Sequence, residues 1–184
     1  MKKTVTIIGA GLAGSEAAYQ LLKRGFNVKM IEMRPQKSTP AHVTDLFGEL
    51  VCSNSLRSDD SEINAVGLLH YEMRQLDSLI MSCADESQVP AGGALAVNRT
   101  EFSKKITNKL KSFSNFELEV REMDFPKTSE PVIIASGPLT SDKLAEGIQK
   151  ATESASLHFF DAIAPIVEID SINFNKAFWA SRYD

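Results

Sequence analysis

Residues 9–14 read Gly-Ala-Gly-Leu-Ala-Gly, and what flanks them restricts the fold more than anything else in the sequence. Before them, Thr4-Val5-Thr6-Ile7-Ile8 is a short run rich in β-branched residues, the composition of a buried strand. After them, Ser15–Arg24 is a helix pattern with Ala17, Ala18, Leu21 and Leu22 on one face, and Gly25 stands where a helix-ending glycine belongs. Val28–Ile31 is a second short strand, ending in Glu32. Three glycines at this spacing are a weak signal alone. In register with strand, helix, second strand and acid they specify a βαβ dinucleotide-binding unit. Gly9 permits the tight turn, Gly11 removes a Cβ from the path of a pyrophosphate, and Gly14 lets helix pack on strand. The helix start offers unpaired N–H groups and a positive dipole end to the phosphates. Glu32 is placed to accept hydrogen bonds from the adenosine ribose, which favours FAD or NAD over NADP. The expected cofactor-binding residues are Gly9, Ala10, Gly11, Leu12, Ala13, Gly14, Glu32 and Arg34.

Composition narrows the remaining classes. The 184 residues are 43% hydrophobic and 24% charged, ordinary for one globular domain or a little more. With 20 basic and 24 acidic side chains the formal charge is −4, which excludes a uniformly basic surface but not a local basic patch. Cys52 and Cys83 form no CxxC pair and have no histidine at ligand spacing, so no metal site is expected. The N-terminal apolar run is too short for a signal peptide, and no stretch approaches the roughly 20 apolar residues of a membrane span. The expected compartment is the reducing cytoplasm.

Residues 34–60 show no sustained period, apart from a short helical turn expected around Asp45–Val51, and carry His42, Glu49, Cys52 and Arg57. Between Glu62 and Ala84, Val66, Leu69, Met73, Leu76, Ile80 and Cys83 step at helical spacing, predicting one long helix with Cys83 on its buried stripe. Cys52 precedes the turn formers Ser53-Asn54-Ser55, where exposure is expected; catalytic and structural roles both stay open on spacing alone. Pro90–Ala94 is a glycine-containing turn into the strand Leu95-Ala96-Val97. Thr100–Lys111 is a helix with Phe102, Ile106 and Leu110 inward. On it Lys105 and Lys109, four apart, form a candidate phosphate-contacting pair, the alternative being a solvated face. Phe116–Arg121 alternates as a half-buried strand, and Pro131–Ala135 reads as a fully buried one. Ser141–Ala151 is a helix with Leu144, Ile148 and Ala151 inward, and Leu157–Ile169 holds two strand-like runs.

The runs GAGLAGSEAAYQL, EMRP, TPAHVTD, ELVCSNSLRS, NAVGLLHYEMRQLDSLI and VPAGGALAVNR, with ASGPLTS, FFDAIAPIV and AFWASRYD further on, resemble one family. It is the folate- and FAD-dependent tRNA (uracil-5-)-methyltransferases, called TrmFO or Gid. The resemblance implies an α/β fold: a Rossmann-like FAD/NAD(P)-binding domain with an inserted helical and loop segment. Residues 1–34 and 131–137 are expected to form its core, 35–130 the insert, and 138–184 the start of a substrate-side segment. Family members are longer, so the chain is expected to be an N-terminal, truncated portion, with a second family cysteine beyond Asp184. The implied chemistry moves a one-carbon unit from 5,10-methylenetetrahydrofolate to C5 of a T-loop uridine in tRNA, with FAD and NAD(P)H supplying electrons. Cys52 matches the family cysteine near the flavin; His42, Asn54, Ser55 and Arg57 match the same loops as positioning groups. A GidA-like wobble-uridine flavoprotein, a general FAD oxidoreductase, and an FAD-binding fragment without activity of its own remain as alternatives.

Overall fold

In the computed structural model, which describes residues 3–153 and 168–177, parallel pairing on both sides of one strand organises the chain. β1 (Thr4–Ile8) lies between β2 (Asn27–Glu32) and β7 (Val132–Ile134), and β6 (Phe116–Val120) extends the sheet beyond β2. Every pairing is parallel: Ile7 faces Met30 on one side and Ile133 on the other, and Met30 faces Leu118. Parallel neighbours need long crossovers, and the chain supplies them as helices. α1 (Leu12–Lys23) joins β1 to β2, and α4 (Arg99–Lys111) precedes β6. In chain order the strands of this sheet run 3-2-1-4, the arrangement of half a doubly wound nucleotide-binding fold. The expected α/β Rossmann class is therefore present. Its core, however, takes in α4 and β6, which the sequence alone assigns to the insert.

The connection from β2 to β6 carries a second, antiparallel sheet in the order β3-β5-β4, made of β3 (Ser55–Ser58), β4 (Gln88–Val89) and β5 (Ala94–Val97). It also carries α2 (Ala65–Gln75) and α3 (Leu79–Asp85). Phe102, Ile106 and Leu110 are fully buried as their spacing predicts, in one cluster with Ile7, Met30, Phe47, Leu95 and Val97. This cluster fuses the inserted sheet to the parallel one.

The predicted single helix over 62–84 is two helices. Asp77 adopts φ +56° between them, and Ser78 restarts the chain as the N-cap of α3, accepting from Met81 N at 3.2 Å. Glu16 of α1 completes the cap. Its carboxylate accepts from Ser78 Oγ at 2.7 Å, Ile80 N at 3.0 Å and Leu79 N at 3.3 Å, so a negative side chain sits on the positive end of α3. The apolar stripe read from sequence straddles this break. Leu69 and Leu76 are consequently exposed, while α2 turns Gly67 and His70 inward. An added Cβ on Gly67 would collide with the Asp60 backbone, which is why α2 can approach that closely.

Other expectations also change. α1 begins at Leu12 rather than Ser15, within the glycine motif. Residues 45–51 form a turn at Phe47-Gly48 and no helix. β7 is not fully buried: it is the sheet edge, with Ile133 36% and Ile134 37% exposed. α5 (Asp142–Thr152) buries Leu144, half-buries Ile148 and leaves Ala151 exposed. The strand-like runs expected over 157–169 lie outside the described residues, save Glu168, the N-cap of a 3-10 turn, and Ile169, which opens it.

The helix break yields a direct test by chemical denaturation. Leu76→Ala is expected to change stability by less than about 0.5 kcal/mol, as for an exposed side chain. Leu79→Ala, buried in α3, is expected to cost about 2–5 kcal/mol. Ser78→Ala is expected to cost about 1 kcal/mol through loss of the cap. A large Leu76→Ala effect would restore the single-helix reading.

Candidate dinucleotide site and neighbouring thiol cleft

The three glycines do different work. Gly9 has φ +100°, and a Cβ there would stand 2.7 Å from the Ala135 carbonyl oxygen, so it must be glycine to pass beside the end of β7. A Cβ on Gly14 would collide with the Gly9 carbonyl oxygen. Gly11 is the reverse case: nothing lies within 4 Å of where its Cβ would stand. It is the N-cap of α1 and receives no side-chain cap. The first turn of α1 thus opens its N–H groups onto clear space, the geometry an anionic pyrophosphate requires. The residues present fit a dinucleotide.

Glu32 closes this turn from β2. Its Oε2 accepts from Ala10 N at 2.8 Å, and its Oε1 accepts from Arg34 N and Arg34 Nε, each at 3.0 Å. The carboxylate is buried, 7% exposed. Burial pushes its pKa up, but the bonds from Arg34 and Ala10 outweigh that and hold it below the usual carboxylate range. With three hydrogen bonds made, the carboxylate retains acceptor capacity for a ribose hydroxyl. Arg34, itself buried, also donates from an Nη to Glu49 Oε2 at 3.0 Å and to the Thr44 carbonyl at 3.2 Å. His42 lines the same cleft, its Nδ1 2.7 Å from Thr39 Oγ1; burial first, then Arg34, hold its imidazole below the ordinary range against the pull of Glu49 and Glu32.

Sequence reasoning missed the opposite wall. Arg121, Met123, Ser136, Leu139 and Thr140 line this cleft, with Ser136 Oγ 2.6 Å from Thr140 Oγ1. The available signal was Ser136-Gly137-Pro138 directly after a strand, since ligands in such sheets gather beyond the C-terminal strand ends.

A second cleft of about 450 Å³ also reaches the α1 start, lined by Leu12, Glu49, Leu50, Val51, Cys52, Ser53, Ser55, Arg57 and Ala94. Cys52 is exposed in it. Arg57 holds φ +76°, uncommon for a residue with a side chain, and its N–H is accepted by Ser55 Oγ at 3.0 Å. The structure therefore gathers Cys52, Ser55 and Arg57 but separates them from His42. Asn54 lines neither cleft; it pairs β3 to β5, its carbonyl accepting from Val97 N at 2.9 Å. Lys105 and Lys109 are on α4 and line neither cleft, and Lys105 is bound to Glu86 at 2.8 Å. Lys109 makes no ion pair among the described residues. Cys83 is buried in α3, and burial pushes its thiol up to about 11. Among the described residues no helix is long and apolar enough to cross a membrane, and no group of three His, Cys, Asp or Glu could hold a metal.

Two outcomes follow for this arrangement. Iodoacetamide should alkylate Cys52 before Cys83 in the native protein, read by peptide mass; the reverse order would contradict the burial of α3. For Glu32, a folded pKa below the ordinary 4.5 means its contribution to stability is complete above that value and is lost as pH falls through the folded one. The stability gap between wild type and Glu32→Gln, from denaturation midpoints, should therefore narrow as pH drops below 4.5. A gap that widens in acid would reverse the assignment.

The family model described as Glucose inhibited division protein A matches residues 4–184. Over 184 residues the chain is 59% identical to the Methylenetetrahydrofolate--tRNA-(uracil-5-)-methyltransferase TrmFO of Lactobacillus helveticus (strain DPC 4571), covering 100% of this chain and 45% of that one. It is 59% identical over 182 residues to the protein of the same name from Magnetococcus marinus, covering 98% and 41%. The chain spans less than half the length of these relatives. Among solved structures, the GidA-related protein from Thermus thermophilus aligns with a TM-score of 0.42 at 14% identity, covering 75% of this chain and 54% of that one. With the family model matching nearly every residue, the chain belongs to the glucose inhibited division protein A family.

Proposed function

We propose that this chain is the FAD-binding portion of a tRNA (uracil-5-)-methyltransferase that draws its one-carbon unit from 5,10-methylenetetrahydrofolate, with NAD(P)H as reductant. The observation that carries the reading is a juxtaposition at the start of α1. Gly11 opens onto the dinucleotide cleft, and Leu12, the next residue, lines the cleft that exposes Cys52. The names of the 59% identical relatives support the same activity.

When bound, FAD supplies the redox capacity that no side chain has. The chain's own residues do the rest. The first-turn N–H groups of α1 would bind the pyrophosphate, and Glu32 would accept from the ribose. Arg34 keeps Glu32 ionised, so that the carboxylate presents acceptors only. Cys52 brings a solvent-accessible thiol beside α1, whose thiolate is the nucleophilic form. Ser55 and Arg57 would position substrate groups in that cleft, Arg57 by its fixed positive charge. For the RNA, Lys109 is the member of the α4 pair whose charge no acidic partner neutralises among the described residues.

Gly11→Val separates cofactor binding from folding. Nothing lies near the Cβ position and Gly11 has φ −72°, so the valine is accommodated by the protein alone. The intact variant is expected to keep its fold, at a cost of about 1 kcal/mol for valine at the N-cap, and to purify without flavin, read from its visible spectrum. Stoichiometric flavin in the variant would put the cofactor elsewhere. Incubating the intact wild-type protein with methylenetetrahydrofolate, NAD(P)H and unmodified tRNA should yield 5-methyluridine in the T-loop, and Cys52→Ala should strongly reduce it. Modification of the wobble uridine instead would favour the GidA-like reading, to which the name of the family model lends weight.

A further inference from the structure

The geometry points to Glu49 as a positioning residue that couples the dinucleotide turn to the Cys52 thiol. This inference rests on the proposed function only in taking Cys52 as the reacting thiol.

The coupling is a closed ring of short contacts. Ala10, inside the glycine turn, donates its N–H to Glu32 at 2.8 Å and accepts at its carbonyl from Gly48 N at 2.8 Å. Glu32 holds Arg34 at 3.0 Å, and Arg34 holds Glu49 at 3.0 Å. Gly48 and Glu49 are adjacent in the chain, so the ring is complete. Cys52 follows three residues after Glu49, and both line the second cleft. Just before Gly48 the chain is anchored by Phe47 N donating to Thr107 Oγ1 of α4 at 2.8 Å. A displacement of the glycine turn therefore reaches Gly48-Glu49, three residues before Cys52, by two routes: one backbone–backbone bond from Gly48 to Ala10, and the Glu32 carboxylate with the buried Arg34 guanidinium.

Burial makes Glu49 more than a surface partner. The side chains of Glu49 and Arg34 are 8% and 2% exposed. Two carboxylates on one guanidinium leave a net negative charge away from water, and desolvation offsets most of what such contacts add to stability. What the arrangement supplies is direction. Glu49 also accepts from Val43 N at 2.9 Å and from Thr44 Oγ1 at 2.9 Å, fixing its carboxylate from two sides. Both carboxylate oxygens are therefore engaged, Oε1 by Val43 N and Oε2 by Arg34 and Thr44, with the Arg34 contact on the buried side and the other two at the surface.

Glu49→Gln tests this. Glutamine offers one acceptor oxygen where the carboxylate offers two. With that oxygen toward Arg34 and Thr44 its amide confronts the Val43 N–H, and turned the other way it confronts the Arg34 guanidinium, so one side of the clamp is lost in either orientation and the bond to Arg34 loses its charge. Alkylation of Cys52 by iodoacetamide is measured in flavin-loaded and flavin-free intact protein, with buried Cys83 as internal reference. In wild type, FAD is expected to change the Cys52 rate several-fold relative to Cys83. In Glu49→Gln the flavin remains, the Cys83 rate is unchanged, and the response of Cys52 to FAD is lost. A general loosening of the fold would raise the Cys83 rate as well. Persistence of the wild-type response in the variant, or no response in wild type, would overturn the coupling. Should Glu49→Gln fail to fold, Thr44→Val, which removes one bond to Glu49 at an exposed position, is expected to weaken the same response; an unaltered response there also overturns it. A wild-type protein that takes up no flavin would sink the cofactor reading instead. In that case a several-fold change in the Cys52 rate of flavin-free Glu49→Gln would still uphold the positioning role, and no change would end it.

Discussion

A buried carboxylate, Glu32, is the contact on which the site depends. It is bonded to the glycine turn through Ala10 and to the following segment through Arg34, which makes it both a candidate ribose acceptor and a fastener of the protein's own backbone. An acid at the end of the second strand is ordinarily read as a ligand-binding feature. Here the protein uses most of its lone pairs before any ligand arrives, and the guanidinium beside it keeps those lone pairs available by holding the group ionised. Removing it would strip a buried arginine of one partner and the turn of its tether, so its loss reaches well beyond one ribose contact.

Around this contact the scaffold is a short parallel sheet with α1 packed on β1 and β2. That part is legible in the sequence because its signals are local. A β-branched run, a glycine turn and a helical stripe each occupy consecutive residues, and no tertiary choice competes with them. The burial of Phe102, Ile106 and Leu110 is legible for the same reason. What escapes depends on partners distant in the chain. Glu16 caps α3 at Ile80, 64 residues further on, and this contact, with Asp77 in a left-handed conformation, splits an apolar period that looks continuous on paper. The exposure of Ile133 and Ile134 depends on β7 standing at the sheet edge, and a short apolar run cannot report its neighbours.

The candidate site divides along the same line. Gly9, Gly11, Gly14 and Glu32 can be assigned from spacing, because the turn they build is fixed by backbone geometry. The loop residues can only be named together. Spacing puts His42 and Cys52 in one excursion, and the fold sends them to different clefts. Glu49 stands out little in the sequence because its importance lies in Arg34, which a sequence does not show to be buried. Asn54 likewise serves strand pairing, a role that becomes visible only once Val97 is known to lie opposite.

The start of α1 ties these results together. A helix N-terminus is one of the few backbone features that can serve two clefts at once, since its unpaired N–H groups fan outward over a full turn. Gly11, with no side chain, leaves one side clear for phosphate oxygens, and Leu12 walls the other with apolar surface. Under the proposed function a charged pyrophosphate would sit on the glycine side, at the helix N-terminus, and the reacting groups on the leucine side, next to an exposed thiol. Arg34 and Glu49 join the two clefts by their 3.0 Å ion pair, Arg34 lining the first and Glu49 the second, where Arg57 alone among the lining residues is cationic. A cofactor whose phosphates sit on one side and whose uncharged ring must reach the other would find both halves prepared by consecutive residues of one helix.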